Sequence, residues 1–453
     1  MQGCTFHRLF WFVLGLGLTI GIGSVQARSE DKVALKANIQ KNSQWQIAMQ
    51  MKVKGNIVMK SGDKTTTIEI GANAEHRFAE QTLTVLGGTP TSMARFYDVA
   101  KADIVFNNGQ PRQRTLRTDR RFQVAKATAE GTTVYSPVGP LTRDELELTG
   151  DHLDTLAIHG TLPNKEVAVG EEWDIAIPTV QALADLDGVT ESKIKGKLAQ
   201  VNNQIALIHV IGSVDGIQHG SEIKVTIAAV LEYSLADERL LRSEWKQRED
   251  RAQGPVNQAS FLESITSVQW TYGQPSKELT PALIATIPDE PNSGHLMLTY
   301  RDEQGRFSFL HERNWYLVAQ TNEFTVMRQM DRGELISQLN ITPWKMAKPG
   351  QHMEPSEVEK HIAQAPGFKL QSVAQQGELP GQPGYWLYRL SAVGEADGLP
   401  LMQNAYAISG PRGDQVMFTF TTEVSHVEKL GTKDQSMVKT VEFSNIIQAG
   451  GKK

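Results

Sequence analysis

Cysteine is almost missing from this 453-residue chain: the single one is Cys4, close to the N-terminus. A disulfide framework is therefore excluded, and so is a thiol nucleophile or a zinc-thiolate site in the body of the protein. A basic surface is missing as well. Lys and Arg number 46 against 51 Asp and Glu, for a net charge of −5. That balance argues against general nucleic-acid binding, which needs a positive footprint. Long apolar runs are absent beyond the first 27 residues, so no transmembrane segment is expected there.

The exception is Leu9–Ile22, an apolar run preceded by Arg8 and followed by Val25-Gln26-Ala27. A basic n-region, a short apolar core and small residues at −3 and −1 form the layout of a secretory signal. The run is too short and too rich in glycine for a spanning anchor, the alternative reading. Cleavage is expected after Ala27, giving a periplasmic or extracellular protein that begins near Arg28. Cys4 precedes the apolar run, so it is not placed for lipoprotein acylation. Removing 1–27 takes away one base and no acid and moves the net charge from −5 to −6.

Prolines at 275, 281, 288 and 291 mark residues 273–294 as a linker. The expected organisation is a β-rich domain over 28–272, that linker, an α+β domain over 295–447 and a flexible tail, 448–453. In the first domain, Trp45, Ile47, Met49, Met51 and Val53 alternate with polar residues, the period of a half-buried strand. Ser61-Gly62-Asp63 predicts a turn. Ile205–Ile211 predicts a central strand, and Ile223 to Leu235 alternates over thirteen residues. Leu241, Ser243, Trp245 and Gln247 form the inner face of a further strand, with Arg242, Glu244, Lys246 and Arg248 facing water. Thr142 and Glu145 form a capping box, with Leu141 stapled onto Leu146. Val180, Leu183 and Leu186 predict a second short helix after Pro178. The sum is a curved antiparallel sheet around short helices, a half-barrel or a sandwich, with meanders near 42–135 and 190–270. In the second domain, Leu296–Tyr300, Phe324–Met330, Glu334–Ile341, Gly384–Ser391, Ala405–Ser409 and Gln415–Thr421 predict strands. A helix is expected with Ser356 as N-cap, and Lys433–Glu442 is expected as a closing helix.

From Phe307-Ser308-Phe309 and Trp315 onward, the order of hairpin, helix, meander and closing helix resembles the PsbP-like fold. That resemblance implies an antiparallel sheet flanked by helices and no particular chemistry, since the fold hosts unrelated roles. The segments Leu141–Leu146 and Leu162–Trp173 resemble exported proteins of unknown function from Planctomycetota. The curved sheet is similar in architecture to LolA-like lipoprotein carriers.

Catalytic and metal motifs fail. His311-Glu312 lacks the second histidine of a zinc helix. Asp185-Leu186-Asp187-Gly188 opens like a calcium loop without its later ligands. Gly212-Ser213-Val214-Asp215-Gly216 has serine one place early for a nucleophile elbow. Ser61-Gly62-Asp63-Lys64 has no partner motif. No catalytic residue, metal or cofactor is expected. Arg112, Arg114, Arg117, Arg120 and Arg121 form the one specific candidate site. Guanidinium groups bind carboxylate, sulfate or phosphate in bidentate fashion. The competing explanation is pairing with Asp144, Glu145, Glu147, Asp151 and Asp154. Convergence of all five would need a turn near Thr118-Asp119. Trp315, Tyr316, Trp344, Tyr385, Trp386 and Tyr388 offer stacking surfaces if exposed and core packing if not. The expected function is a non-enzymatic binding or assembly protein of the cell envelope, its partner an envelope polymer, lipid or protein. The alternatives are a carrier of an apolar ligand and a hydrolase of envelope polymer. A deep apolar cavity favours the carrier, two convergent carboxylates the enzyme, and flat aromatic faces the binding protein.

Overall fold

Alternation along the chain becomes strand throughout. The computed structural model describes residues 32–61, 64–129, 131–150 and 152–444. The export segment 1–27, the turn residues Gly62-Asp63 and the tail 448–453 lie outside them. The described residues form one 13-stranded antiparallel sheet, one of seven strands, and two small sheets of three and two.

The large sheet is two meanders joined at a seam, where Gln44–Ser61 pairs with Ala259–Tyr272. From the seam one meander runs outward through Lys64–Leu86, Thr89–Phe106, Phe122–Thr128 and Gly131–Tyr135. The other runs through Arg239–Arg251, Ser221–Ser234, Ile205–Gln218 and Lys195–Asn202. Helix Ile177–Leu183 touches Gly131–Tyr135 on one flank and Gly188–Ser192 on the other. The sheet therefore curls around its helices as an open half-barrel, which settles the choice against a sandwich. Trp45, Phe78, Tyr97, Trp245 and Val180 share one core inside the curl, each large side chain contributing about 1.5–3 kcal/mol by leaving water.

Thr142 and Glu145 cap helix Arg143–Gly150 reciprocally, at 3.2 Å to the Glu145 N–H and 2.9 Å from the Thr142 N–H. Three expectations need correction. Leu240 points into the core, not Leu241, because the register slips by one residue between Glu232 and Tyr233. A bulge of this kind turns the extra side chain away from its face. The helix expected to start at Ser356 spans Pro355–Ala363, with Glu354 at the N-cap. Proline lacks the N–H that N1 would leave unpaired, so it fits that position without loss. The closing helix is Lys433–Val438, and Glu442–Phe443 returns as a strand.

The seven-stranded sheet has helices on opposite faces. Val358 and Ile362 of Pro355–Ala363 pack with Tyr388, Leu390, Ala405 and Met417. Leu430, Met437 and Val438 pack with Leu387, Tyr406, Val416 and Phe418 on the alternate positions. The stretch expected as a linker, 273–294, holds one short helix, Pro281–Ile284, and the start of a second, Ser293–Leu296. Leu279 of this stretch is buried with Ala79, Ala94 and Phe122 on the outer side of the large sheet. The two halves also meet directly. Thr299 N–H donates to the Leu141 carbonyl at 2.8 Å, and Arg313 donates to Val134 O at 2.7 Å. Tyr316 lies under the Arg143 guanidinium at 4.7 Å and against His219 at 4.6 Å.

Candidate functional site

The helices inside the curl stop short of one end of the sheet. Along Gln44–Ser61 the inward side chains Trp45, Ile47 and Met49 are buried, whereas Met51, Val53 and Ile57 are only half-buried. The neighbouring strand repeats the change, from buried Phe78 and His76 to half-buried Ala74, Ala72, Ile70 and Ile68. The result is a trough with apolar walls at the sheet's mouth. It holds two adjoining cavities of about 180 and 260 Å³ that share Met51, Val53 and His152.

One side of the trough is polar. Trp245, Gln247, Glu249 and Arg251 follow one another at period two on the inward face of Arg239–Arg251. Gln247 donates to Glu249 Oε1 at 2.8 Å. Arg251 Nη1 donates to Gln218 Oε1 at 2.9 Å, and Gln218 in turn donates to Asp185 Oδ2 at 3.0 Å. Burial raises the Glu249 pKa and lowers that of Arg251. At the other side, burial brings the His76 pKa down to about 4. Its Nε2–H donates to the Leu148 carbonyl at 2.8 Å, which leaves Nδ1 as a buried acceptor with no partner among the described residues. His152 is held neutral by burial in the same way and accepts from Tyr97 OH at 3.2 Å.

A larger hollow of about 840 Å³ lies on the outer face of the same strands. Its charged groups largely satisfy one another. Lys54 pairs with Glu263 at 2.9 Å and Lys246 with Glu244 at 3.0 Å, while Arg248 covers the Phe261 ring at 4.4 Å. It is a groove rimmed by charges of both signs, with Val53, Ile70, Val105 and Ile265 between them; the inner trough differs from it in carrying buried polar groups with unfilled hydrogen-bonding sites.

The arginine cluster does not form one face. Arg112 is exposed on the short strand Arg112–Thr115. Arg114 joins Asp144 at 3.0 Å and Glu147 at 2.9 Å, and both it and Glu147 border the smaller cavity. Arg117 grips Glu145 with two nitrogens. The expected turn is present as a 3₁₀ helix, Thr118–Arg120. It turns Arg120 onto the Pro140 carbonyl at 3.0 Å and Asp119 at 2.8 Å. A Cβ on Gly139, at φ +147°, would come within 2.9 Å of that guanidinium. Arg121 makes no ion pair among the described residues. Asp185 and Asp187 serve Gln218 and the His219 N–H, and no metal-binding group of His, Cys, Asp and Glu is found among the described residues. Of the aromatic candidates, Trp315 and Tyr388 are buried and Tyr316, Trp344, Tyr385 and Trp386 half-buried.

Sequence reasoning missed Glu249, Arg251, Gln218, His76 and His152. A signal was there: the alternation that buries Ser243 and Trp245 continues inward through three polar positions, an unusual content for a core face.

No family model matches the chain, and no curated protein matches it. Among solved structures, the chain is similar to cyanobacterial PsbP (CyanoP) from Synechocystis. The identity is 11%, with 35% of this chain and 99% of that one covered, at a TM-score of 0.28. A protein of Bacteroides thetaiotaomicron matches at 9% identity over 32% of this chain and 48% of its own, at a TM-score of 0.23. The translocator domain of the autotransporter NalP from Neisseria meningitidis matches at 6% identity over 85% and 90%, at a TM-score of 0.10. These scores are low, and the functional reading rests on the geometry of the trough.

Proposed function

We propose that this chain is an extracytoplasmic, non-enzymatic binding protein of the cell envelope, and that the trough holds the apolar part of its ligand. The observation that carries the reading is the unfinished core: apolar side chains around Met51 and Val53 are left half-covered in an open trough beside a polar wall. Concave, mostly apolar sites with a few convergent polar groups are where small ligands bind. Export rests on the n-region, apolar core and Val25-Gln26-Ala27 pattern. Hydrolysis of an envelope polymer is the second reading, because Glu249 and Asp185 border one cavity. The bond from Gln218 to Asp185 favours a structural carboxylate there.

Changing Ala74 to Phe tests the site. Ala74 lines the smaller cavity and not the outer hollow, and an aromatic side chain suits a strand. Affinity for the neutral fluorophore N-phenyl-1-naphthylamine should fall about tenfold or more, with the melting temperature nearly unchanged. Undiminished binding by a folded Ala74→Phe protein would place the fluorophore elsewhere and remove the support for the trough.

A further inference from the structure

The polar wall specifies more than a place. Glu249 and Arg251 stand two residues apart on one strand face, so their Cα atoms are separated by roughly 6.5–7 Å. Neither makes an ion pair among the described residues. Each is partly engaged by a neutral amide, Glu249 by Gln247 and Arg251 by Gln218. The Arg251 Nε is buried with no hydrogen-bond partner among the described residues. A guanidinium has five N–H donors, and a carboxylate has more acceptor sites than one amide fills. The two opposite charges attract each other along the strand but exchange no hydrogen bond, so each keeps donor or acceptor sites unfilled at the cavity. The third charged group there, Asp185, already accepts from Gln218 at 3.0 Å. The remaining borders of this cavity are mixed: Met51, Val53, Leu153, Leu183 and Leu262 supply the apolar part, and His152, Ser264 and Thr266 add polar groups.

We infer that the ligand is a zwitterionic amphiphile: its chain lies along Met51, Val53 and Leu183, its acidic group meets Arg251, and its ammonium meets Glu249. The inference rests on the trough being the binding site. A phosphate and an ammonium joined by a short linker suit two charged side chains that leave one strand face two residues apart, as in an ethanolamine phosphate head.

The experiment compares three probes of equal chain length, lysophosphatidylethanolamine, an alkyl phosphate and an alkylamine, in competition with N-phenyl-1-naphthylamine. The zwitterion should bind about tenfold or more tightly than either single-charge probe, the scale of one charge-assisted hydrogen bond. Arg251→Gln should weaken the zwitterion and the phosphate by a similar factor and leave the amine no weaker. Glu249→Gln should weaken the zwitterion and the amine and spare the phosphate. Arg251→Lys, which keeps the charge, should retain phosphate binding and guards against a fold lost in Arg251→Gln. Equal binding of all three probes, unmoved by folded variants, overturns the inference and leaves the trough standing. So does binding of the fluorophore with no displacement by any charged probe. Failure of the fluorophore and of every probe to bind overturns both.

Discussion

Replacing Arg95 with Met is expected to destabilise the protein by about 3–5 kcal/mol, the scale of breaking a buried ion pair by removing one partner. Arg95 and Glu80 are directly opposite each other on paired strands, and their side chains are 1% and 0% exposed. The guanidinium donates to Glu80 Oε1 at 2.9 Å, to Asp154 Oδ1 at 3.2 Å and to Thr155 Oγ1 at 2.9 Å. Trp45 Nε1 donates to the other Glu80 oxygen at 2.8 Å. Burial works against the Arg95 charge, and Glu80 and Asp154 more than offset it, so the pKa is raised and the group stays charged. Methionine would leave two carboxylates without a cation in the core. Chemical denaturation measures the loss, and adding Glu80→Gln to Arg95→Met should recover part of it. A loss under 1 kcal/mol would show that the knot is not tightly coupled to folding. Because Asp154 and Thr155 belong to the connector that brings His152 and Leu153 to the trough, the same change should also weaken fluorophore binding.

Acid should destabilise the fold well above the usual carboxylate range. Burial lowers the pKa of His76, His159 and His311 from 6.5 to about 4. In the unfolded chain these side chains take up protons below 6.5, whereas in the folded protein they do not until about 4. Their neutral, buried state is therefore fully compatible with folding above pH 6.5, and stability drains as the pH falls from 6.5 toward 4. A shift of that size corresponds to up to about 3 kcal/mol per histidine. Glu249 opposes the trend, because a raised carboxylate pKa makes the folded state gain protons first. The melting temperature should drop by roughly 10 °C between pH 7 and pH 5. His159→Leu should flatten that slope by about a quarter or less, because His76, His152 and His311 contribute in the same direction. A melting temperature that is level from pH 7 to pH 5 would contradict the burial of these rings.

Much of the fold is written locally. Trp45 to Val53 and Ile223 to Leu235 alternate because one face of each strand meets the core, so period two is visible without a partner. The Thr142–Glu145 box is visible because its two bonds lie within one turn. What depends on distant pairing is not legible in this way. The bulge that exchanges Leu240 for Leu241 is set by the neighbouring strand's register. The Glu80–Arg95 pair reads as two ordinary charges until Lys64–Leu86 and Thr89–Phe106 come together. The trough is harder still, since it exists where the inner helices end, and nothing in Met51 or Val53 marks that limit. The arginine cluster was legible as a cluster and as a neighbour of the acidic helix. Its division among Glu145, Glu147, Asp144 and the Pro140 carbonyl follows from the turn at Thr118–Arg120.

The most direct measurement is the position of a bound amphiphile. A crystal grown with lysophosphatidylethanolamine carrying a bromine at the chain terminus should give an anomalous peak inside the curl, among Met51, Val53 and Leu183, with the head group beside Glu249 and Arg251. A peak in the outer hollow near Lys52 and Ile265, with the trough empty, would contradict the assignment of the inner face as the binding site.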